Sequence, residues 1–276
     1  MLRPQQQIER QIEQHWQPLA RHIAAQIAQW HGASGPLLIG LSAAQGSGKS
    51  TLAALIAARL TKTHQLKALT VSLDDFYLTA ADRQHRAATI HPLFATRGVP
   101  GTHDLPLLIA TLDTLLHGTG EVSVPRFDKS TDDRAQSPAR RQAPLDIVIL
   151  EGWCLGAAPE PEASLTIPLN PLEAAEDPHA LWRRHVNHHL AADYAQLWTR
   201  LDKHLHLKAP GWPTICHWRA EAETTRPKTT HSGAAMTPAE LTRFMHHYER
   251  ITRTLLREPP RADMTWTLDA QRRVVE

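Results

Sequence analysis

Ala43-Ala44-Gln45-Gly46-Ser47-Gly48-Lys49-Ser50 is the stretch that decides the fold of this chain. It meets the phosphate-loop pattern Gly-x-x-x-x-Gly-Lys-Ser/Thr at every defined position except the first, where Ala43 replaces glycine. Gly46 and Gly48 allow the backbone to turn its N–H groups inward around a polyphosphate. Lys49 is placed to reach the β- and γ-phosphates, and Ser50 to hold Mg²⁺. Ala44, Gln45, Ser47 and Thr51 complete the expected nucleotide-binding stretch. An apolar run of strand length, Pro36 to Ser42, precedes the loop. After it, Leu52, Leu55, Ile56 and Leu60 fall on one helical face. Strand, glycine turn and helix N-terminus together form an anion site. A nucleoside triphosphate with Mg²⁺ is therefore the expected ligand.

The chain has 276 residues, enough for one large α/β domain. Its 30 Lys and Arg nearly balance 28 Asp and Glu, which argues against a nucleic-acid surface. Two cysteines, Cys154 and Cys216, fit a reducing compartment. The N-terminus has no apolar signal-type core and no run approaches transmembrane length, so a cytoplasmic protein without membrane contact is expected. His188-His189 and His246-His247 lack a Cys or carboxylate at zinc spacing, and no structural zinc is expected.

Ile8, Ile12, Trp16, Leu19, Ile23, Ile27 and Trp30 recur every three or four positions, which predicts an amphipathic helix over 5–30. Strands are expected at 67–73, 145–150 and 264–268, and a shorter one at 165–167. Glu121 to Asp133 reads as a strand running into a polar loop. Helices are expected at 104–116, capped by Thr102 or His103, across the long region 179–207, and at 238–256, with Thr237 and Glu240 as a capping box. Thr79 to Gly101 reads as irregular, and Ala209 to Thr230, with Pro210, Pro213 and Pro227, as loop. Strands alternating with helices predict a P-loop nucleoside triphosphate hydrolase fold, α/β, with a mostly parallel sheet covered by helices on both faces. The expected organisation is an N-terminal helix over 1–32 and a single domain over 33–276. Lid or substrate elements would be inserted around 79–133 and 208–230.

Two carboxylates stand where the second strand ends, in Ser72-Leu73-Asp74-Asp75-Phe76-Tyr77. A phosphoryl-transfer site needs a carboxylate beside the γ-phosphate to orient or deprotonate an acceptor hydroxyl. Asp74 is the first choice and Asp75 the alternative; one of them could instead serve Mg²⁺ through water. Glu151 ends the buried run Ile147 to Leu150, where a metal-facing acid is expected opposite Ser50. Asp146, at the other end of that strand, reads as structural. Cations must offset the charge spreading over the transferred phosphoryl oxygens. Arg97, Lys129 and Arg134 are the candidates, with Arg126 and Arg184 weaker. The late stretch Lys208 to Pro213 and His217-Trp218-Arg219 either closes over a ligand or packs on the sheet.

Taken together, the phosphate loop, Ser72 to Tyr77, Arg97 to Asp104, Pro125-Arg126-Phe127-Asp128-Lys129-Ser130 and Ile149 to Gly156 resemble the glycerate-kinase-type branch of the P-loop kinases. Leu207 to Trp212 and Phe244 to Arg250 extend the resemblance over about residues 35–272. It implies ATP-dependent phosphorylation of a small-molecule hydroxyl, with Asp74 as base, Lys49 and Ser50 on the phosphates and Mg²⁺, and Glu151 as the strand-end acid. Arg97 and His103 fall in the acceptor-side motif. The expected substrate is a small molecule with a hydroxyl and an anionic group, D-glycerate first. Pantothenate, a nucleoside or a sugar phosphate are alternatives, as is a non-enzymatic ATP-binding switch using the N-terminal helix. The protein is expected as a monomer or a homodimer.

Overall fold

In the computed structural model, residues 4–224 and 236–275 are described, with the side chains of 4–13 left aside. The elements in chain order are α1 (Pro4–Ser34), β1 (Leu37–Ala43), α2 (Lys49–His64), β2 (Ala68–Ser72), α3 (Ala80–Thr89) and α4 (Leu105–His117). Then come β3 (Gly120–Val124), β4 (Phe127–Asp128), β5 (Asp133–Arg134), β6 (Ala139–Ala143), β7 (Ile147–Gly152), α5 (Pro171–Glu176), α6 (Leu181–His189) and α7 (Ala195–Trp198). The chain closes with β8 (Lys203–Lys208), α8 (Trp212–Thr224), α9 (Pro238–Arg257) and β9 (Met264–Thr267).

The main sheet has the order β2-β7-β1-β8-β9, and every neighbouring pair is parallel. From β1 the chain first builds one side, then crosses to the other. The switch point thus lies at the C-terminal end of β1, where open parallel sheets bind ligands. All of β1 and β7 is buried, as strands covered on both faces must be. Successive side chains point to opposite faces. Leu37, Ile39 and Leu41 accordingly join α1 and α2 in one core, while Leu38, Val148 and Leu150 join α4 in the other.

The long N-terminal helix belongs to the first of these cores. Trp16, Ala20, Ile23, Ala24 and Ile27 are buried against Leu52, Ile56 and Leu60 of α2. The Trp16 indole N–H donates to the Arg272 carbonyl at 2.8 Å. Leu19 and Trp30 pack at the edge of this core. Ile8 and Ile12 lie outside the described side chains.

Several expectations need correction. The segment 79–101 is not irregular: Thr79 caps α3 by accepting from the Asp82 N–H, and a short 3₁₀ turn follows at Pro92–Ala95. Buried Arg83 anchors α3 by donating to the carbonyls of Leu78 at 2.7 Å and Ala95 at 3.2 Å. The cap of α4 is Asp104, whose Oδ1 accepts from Leu107 N at 3.1 Å, rather than Thr102 or His103. Residues 121–133 leave the main sheet: β3 pairs antiparallel with β6, and β4 with β5. Residues 162–166 form a 3₁₀ turn instead of a strand, with the Leu165 carbonyl taken by the Arg183 guanidinium at 2.5 Å.

The region 179–207 ends in a strand, β8, not in helix. Lys-His-Leu-His-Leu-Lys alternates with the period of a strand, but its histidines disguise a buried element. His204 Nε2 and His206 Nδ1 both reach the buried Ser42 hydroxyl, at 2.9 and 2.8 Å. Residues 212–224 are helix α8, with Pro213 in the first turn where its missing N–H costs nothing. The remainder of the expected 208–230 lid, residues 225–230, lies outside the described residues. The α9 capping box is present as expected, with Thr237 and Glu240 bonding reciprocally.

Candidate active site

The phosphate loop leaves β1 and enters α2 at the switch point. Gly46 and Gly48 have φ of 70° and 91°, the left-handed region that favours glycine. A Cβ on Gly46 would also lie 2.8 Å from the Trp218 backbone of α8. Ala43, by contrast, is the last residue of β1 and is extended and buried, so the missing first glycine removes no needed conformation. The loop is braced from the C-terminus. Arg272 Nε donates to the Gly46 carbonyl at 2.7 Å, its guanidinium lies 5.0 Å from the Trp218 ring centroid, and Nη2 pairs with Glu221. No motif flagged Arg272; its partners come from three distant segments.

Glu151, at the end of β7, stands beside the loop because β7 pairs directly with β1. The Ser50 hydroxyl donates to Glu151 Oε1 at 2.7 Å, and Lys49 Nζ lies 3.5 Å from Oε2. Oε2 is buried and has no hydrogen-bond partner among the described residues. Two hard oxygens, one anionic with unused acceptor capacity, fit a magnesium site. Burial opposes the charge of Lys49, but Glu151 and then Asp74 outweigh it and raise its pKa above the usual value.

Asp74 sits in the 3₁₀ turn Leu73–Phe76 that follows β2. Its Oδ1 accepts from the Tyr77 hydroxyl and its Oδ2 from Lys129 Nζ, both at 2.9 Å. Burial pushes its pKa up, but Lys129 and Lys49 overcome this and hold the carboxyl well below the usual carboxylate range. Asp74 is therefore a charged acceptor at neutral pH. Asp75 is turned elsewhere. It accepts from the Phe127 N–H at 3.1 Å and from Arg126 at 3.3 Å, and so fastens β4 to the turn.

A cavity of about 300 Å³ opens above the loop, lined on the catalytic side by Gln45, Gly46, Lys49, Asp74, Tyr77, Arg97 and Lys129. Trp153, Arg219, Phe244 and Tyr248 form much of its remaining wall. Of the candidate nucleotide-binding residues, Ala44, Ser47, Gly48, Ser50 and Thr51 shape the loop and helix start without lining this space. Arg97 enters on the turn before Gly98. Asp132 pairs with its guanidinium, which lies 5.4 Å from the Phe127 ring centroid. Burial disfavours the charge of Arg97, and Asp132 more than restores it. The turn is held from two sides: the Tyr248 hydroxyl donates to the Arg97 carbonyl at 3.0 Å, and the Trp153 indole to the Gly98 carbonyl at 3.1 Å.

Arg134 does not line the cavity. It braces it, donating to the Tyr77 carbonyl at 3.0 Å and to Asp104 at 2.7 Å. His103 stacks on Tyr77 with ring centroids 4.5 Å apart. Arg184 is remote, paired with exposed Glu162. The structure thus brings together Lys49, Ser50, Asp74, Arg97, Lys129 and Glu151, and leaves Asp75, Arg134, Arg126 and Arg184 to other work. Trp153 and Tyr248 lay within motif stretches, but their grip on the Arg97–Gly98 turn is visible only in three dimensions. Phe244 and Arg219 line the cavity because α8 and α9 pack together over the loop.

No protein-family profile matches the chain. An uncharacterised kinase of Schizosaccharomyces pombe is 33% identical over 224 residues, covering 77% of this chain and 78% of that protein. A chloroplastic D-glycerate 3-kinase of Arabidopsis thaliana is 33% identical over 240 residues, 82% of this chain; the match spans half of that longer protein. Among solved structures, a D-glycerate 3-kinase of Cryptococcus neoformans superposes with a TM-score of 0.79 at 25% identity, over 94% of this chain and 97% of that one. No described helix is long and apolar enough to cross a membrane.

Proposed function

Because this chain belongs to the P-loop kinases related to the glycerate, pantothenate and uridine kinases, we propose that it transfers the γ-phosphate of ATP to a hydroxyl of a small metabolite, D-glycerate foremost. The observation that carries this reading is the placement of a charged Asp74 in the same cavity as Lys49, Arg97 and Lys129. The loop N–H groups and Lys49 receive the triphosphate. Ser50 and Glu151 would hold Mg²⁺, which, when bound, neutralises phosphate charge.

Asp74 accepts the proton of the acceptor hydroxyl as it attacks. Its Tyr77 hydrogen bond orients the carboxylate, and Lys129 keeps it ionised. Arg97 supplies a cation held by Asp132 before any substrate arrives, so little reorganisation accompanies the charge that develops. Trp153, Tyr248 and Phe244 exclude water from the space, which disfavours hydrolysis. An acceptor carrying a carboxylate suits a cavity lined by Lys49, Arg97, Lys129 and Arg219. The support for D-glycerate in particular is the likeness to two proteins bearing that activity in their names.

The test is ADP formation with Mg·ATP across D-glycerate, L-glycerate, pantothenate, uridine, ribulose 5-phosphate and an acceptor-free control. Strong stimulation by D-glycerate, with the phosphorylated product found by mass, is the expected result. Stimulation by a different acceptor keeps the kinase and replaces the substrate. ATP binding with no stimulation by any acceptor counts against the kinase reading.

A further inference from the structure

Arg272 has a φ of 63°, in the left-handed region that a residue with a Cβ occupies only when its surroundings enforce it. Here they do. Asp269 Oδ1 accepts from the Gln271 and Arg273 N–H groups, each at 2.9 Å, and the Asp269 carbonyl accepts from the Arg272 N–H at 3.0 Å. Two buried tryptophans grip the same turn from outside. The Trp16 indole of α1 donates to the Arg272 carbonyl, and the Trp218 indole of α8 to the Ala270 carbonyl, both at 2.8 Å. A turn held this firmly fixes where the buried Arg272 side chain points, and it points at the phosphate loop. Its Nε donates to the Gly46 carbonyl at 2.7 Å.

That carbonyl belongs to the peptide unit that joins Gly46 to Ser47. The unit is trans, so its carbonyl and its N–H point to opposite sides. With the carbonyl held by Arg272, the Ser47 N–H faces across the turn, where it meets the Ala44 carbonyl at 3.3 Å. This is longer than the usual value of about 2.9–3.0 Å. Such a bond gives way to a charged phosphate oxygen, which is the stronger acceptor. Gly46 and Lys49, on either side of Ser47, line the catalytic cavity.

Nothing local holds the peptide in this orientation. Packing demands glycine at 46, because a Cβ there would lie 2.8 Å from the Trp218 backbone. A glycine rotates at little cost, so the unit next to it can turn over. Turned over, it would present a carbonyl oxygen to a phosphate in place of an N–H. The restraint has to come from elsewhere in the fold, and the Arg272 Nε–H supplies it.

We propose that Arg272 is a positioning residue for the nucleotide: by holding the Gly46 carbonyl it keeps the Ser47 N–H directed at the bound phosphates. The N-terminal helix takes part through Trp16, which holds the turn that carries Arg272. This inference rests on the nucleotide-binding half of the kinase reading and not on the identity of the acceptor.

Two variants isolate the one bond. Arg272→Met and Arg272→Gln both lose the pair with Glu221 and the guanidinium over Trp218. They differ at the atom in the Nε position, which is a methyl in methionine and an amide N–H donor in glutamine. Isothermal titration with Mg·ADP should show affinity lowered about tenfold or more in Arg272→Met, and within about threefold of wild type in Arg272→Gln. The second measurement is NMR on protein labelled with ¹⁵N-serine, with the Ser47 resonance identified by its loss in Ser47→Ala. At saturating Mg·ADP the Ser47 amide proton should move downfield in the wild type and in Arg272→Gln, and not in Arg272→Met. Equal affinity in the two arginine variants, whether both match wild type or both fall, would overturn the role, because a merely structural arginine does not depend on the donor at that position. A Ser47 amide that ignores bound nucleotide in the wild type, or that moves alike in both variants, would overturn it as well. Titration and NMR read binding without turnover, so these failures leave the phosphoryl-transfer reading standing, whereas a wild type that binds no Mg·ADP would overturn both.

Discussion

Replacing Asp74 by asparagine separates chemistry from architecture. The amide keeps the shape of the side chain, and its oxygen can still accept from the Tyr77 hydroxyl now held at 2.9 Å. What disappears is the negative charge and the ability to take a proton. The Lys129 pair is lost as well, but that lysine side chain is 54% exposed, so the stability cost should stay within about 1 kcal/mol. Lys49 retains Glu151 at 3.5 Å and should remain charged and in place. Positioned general bases contribute roughly 100- to 10,000-fold in rate. At 1.36 kcal/mol per tenfold this corresponds to about 2.7–5.4 kcal/mol of barrier. The expected result is a fall in kcat of that size, with KM for ATP within about threefold of wild type. The assay is coupled ADP release with the accepted substrate, with product confirmed by mass. Asp75→Asn is the control: it touches the Phe127 N–H and Arg126, outside the cavity, and should leave kcat within about tenfold. A D74N enzyme that keeps its wild-type kcat, or a D75N enzyme that loses more, would refute the assignment of the base.

Other outcomes follow from the same geometry. Glu151→Gln removes the charge opposite Ser50, and the Mg²⁺ concentration for half-maximal turnover should rise at least tenfold; an unchanged Mg²⁺ titration would remove Glu151 from the metal site. Gly98→Ala places a methyl on a residue with φ of 136° and drives it into the Tyr248 hydroxyl, so overpacking should cost roughly 1–3 kcal/mol and the acceptor KM should rise with the displaced Arg97; calorimetry and kinetics that both match wild type would count against the clamp. Burial pushes His103, His206 and His247 down to about 4 in the folded protein. Unfolded, they titrate near 6.5, so below that pH the unfolded chain binds more protons and stability falls as pH drops from about 6.5 to about 4, by roughly 1.4 kcal/mol per pH unit for each histidine. Melting temperature recorded at successive pH values across that window should decline; a flat profile would contradict the neutral burial of these rings.

Local chemistry carried much of this protein. The phosphate loop was legible because its work depends on residues adjacent in sequence: a strand, two glycines with positive φ, and a helix that begins with Lys49. The parallel sheet was legible because strands buried on both faces lose their alternation and read as continuous apolar runs, as in β1 and β7. The α9 start was legible because Thr237 and Glu240 satisfy each other within one turn. Asp74 and Glu151 stood out as acids at strand ends, and the direction of a parallel sheet brings those ends to one edge.

Tertiary structure decided the rest, wherever a residue's partner is far away in the chain. Strand β8 was hidden because two buried histidines look polar until the Ser42 hydroxyl from β1 is placed between them. Helix α3 needed buried Arg83, whose partners Leu78, Ala95 and Asp132 become neighbours only on folding. Asp74 and Asp75 are adjacent in sequence and equivalent by pattern. Only the folded chain turns one toward Lys49 and Lys129 and ties the other to the Phe127 N–H. Arg97 and Arg134 likewise read alike, yet one enters the cavity and the other braces the Tyr77 carbonyl. A sequence can state which groups are able to do chemistry. Which of them meet is set by long-range hydrogen bonds and packing, whose spacing along the chain obeys no period.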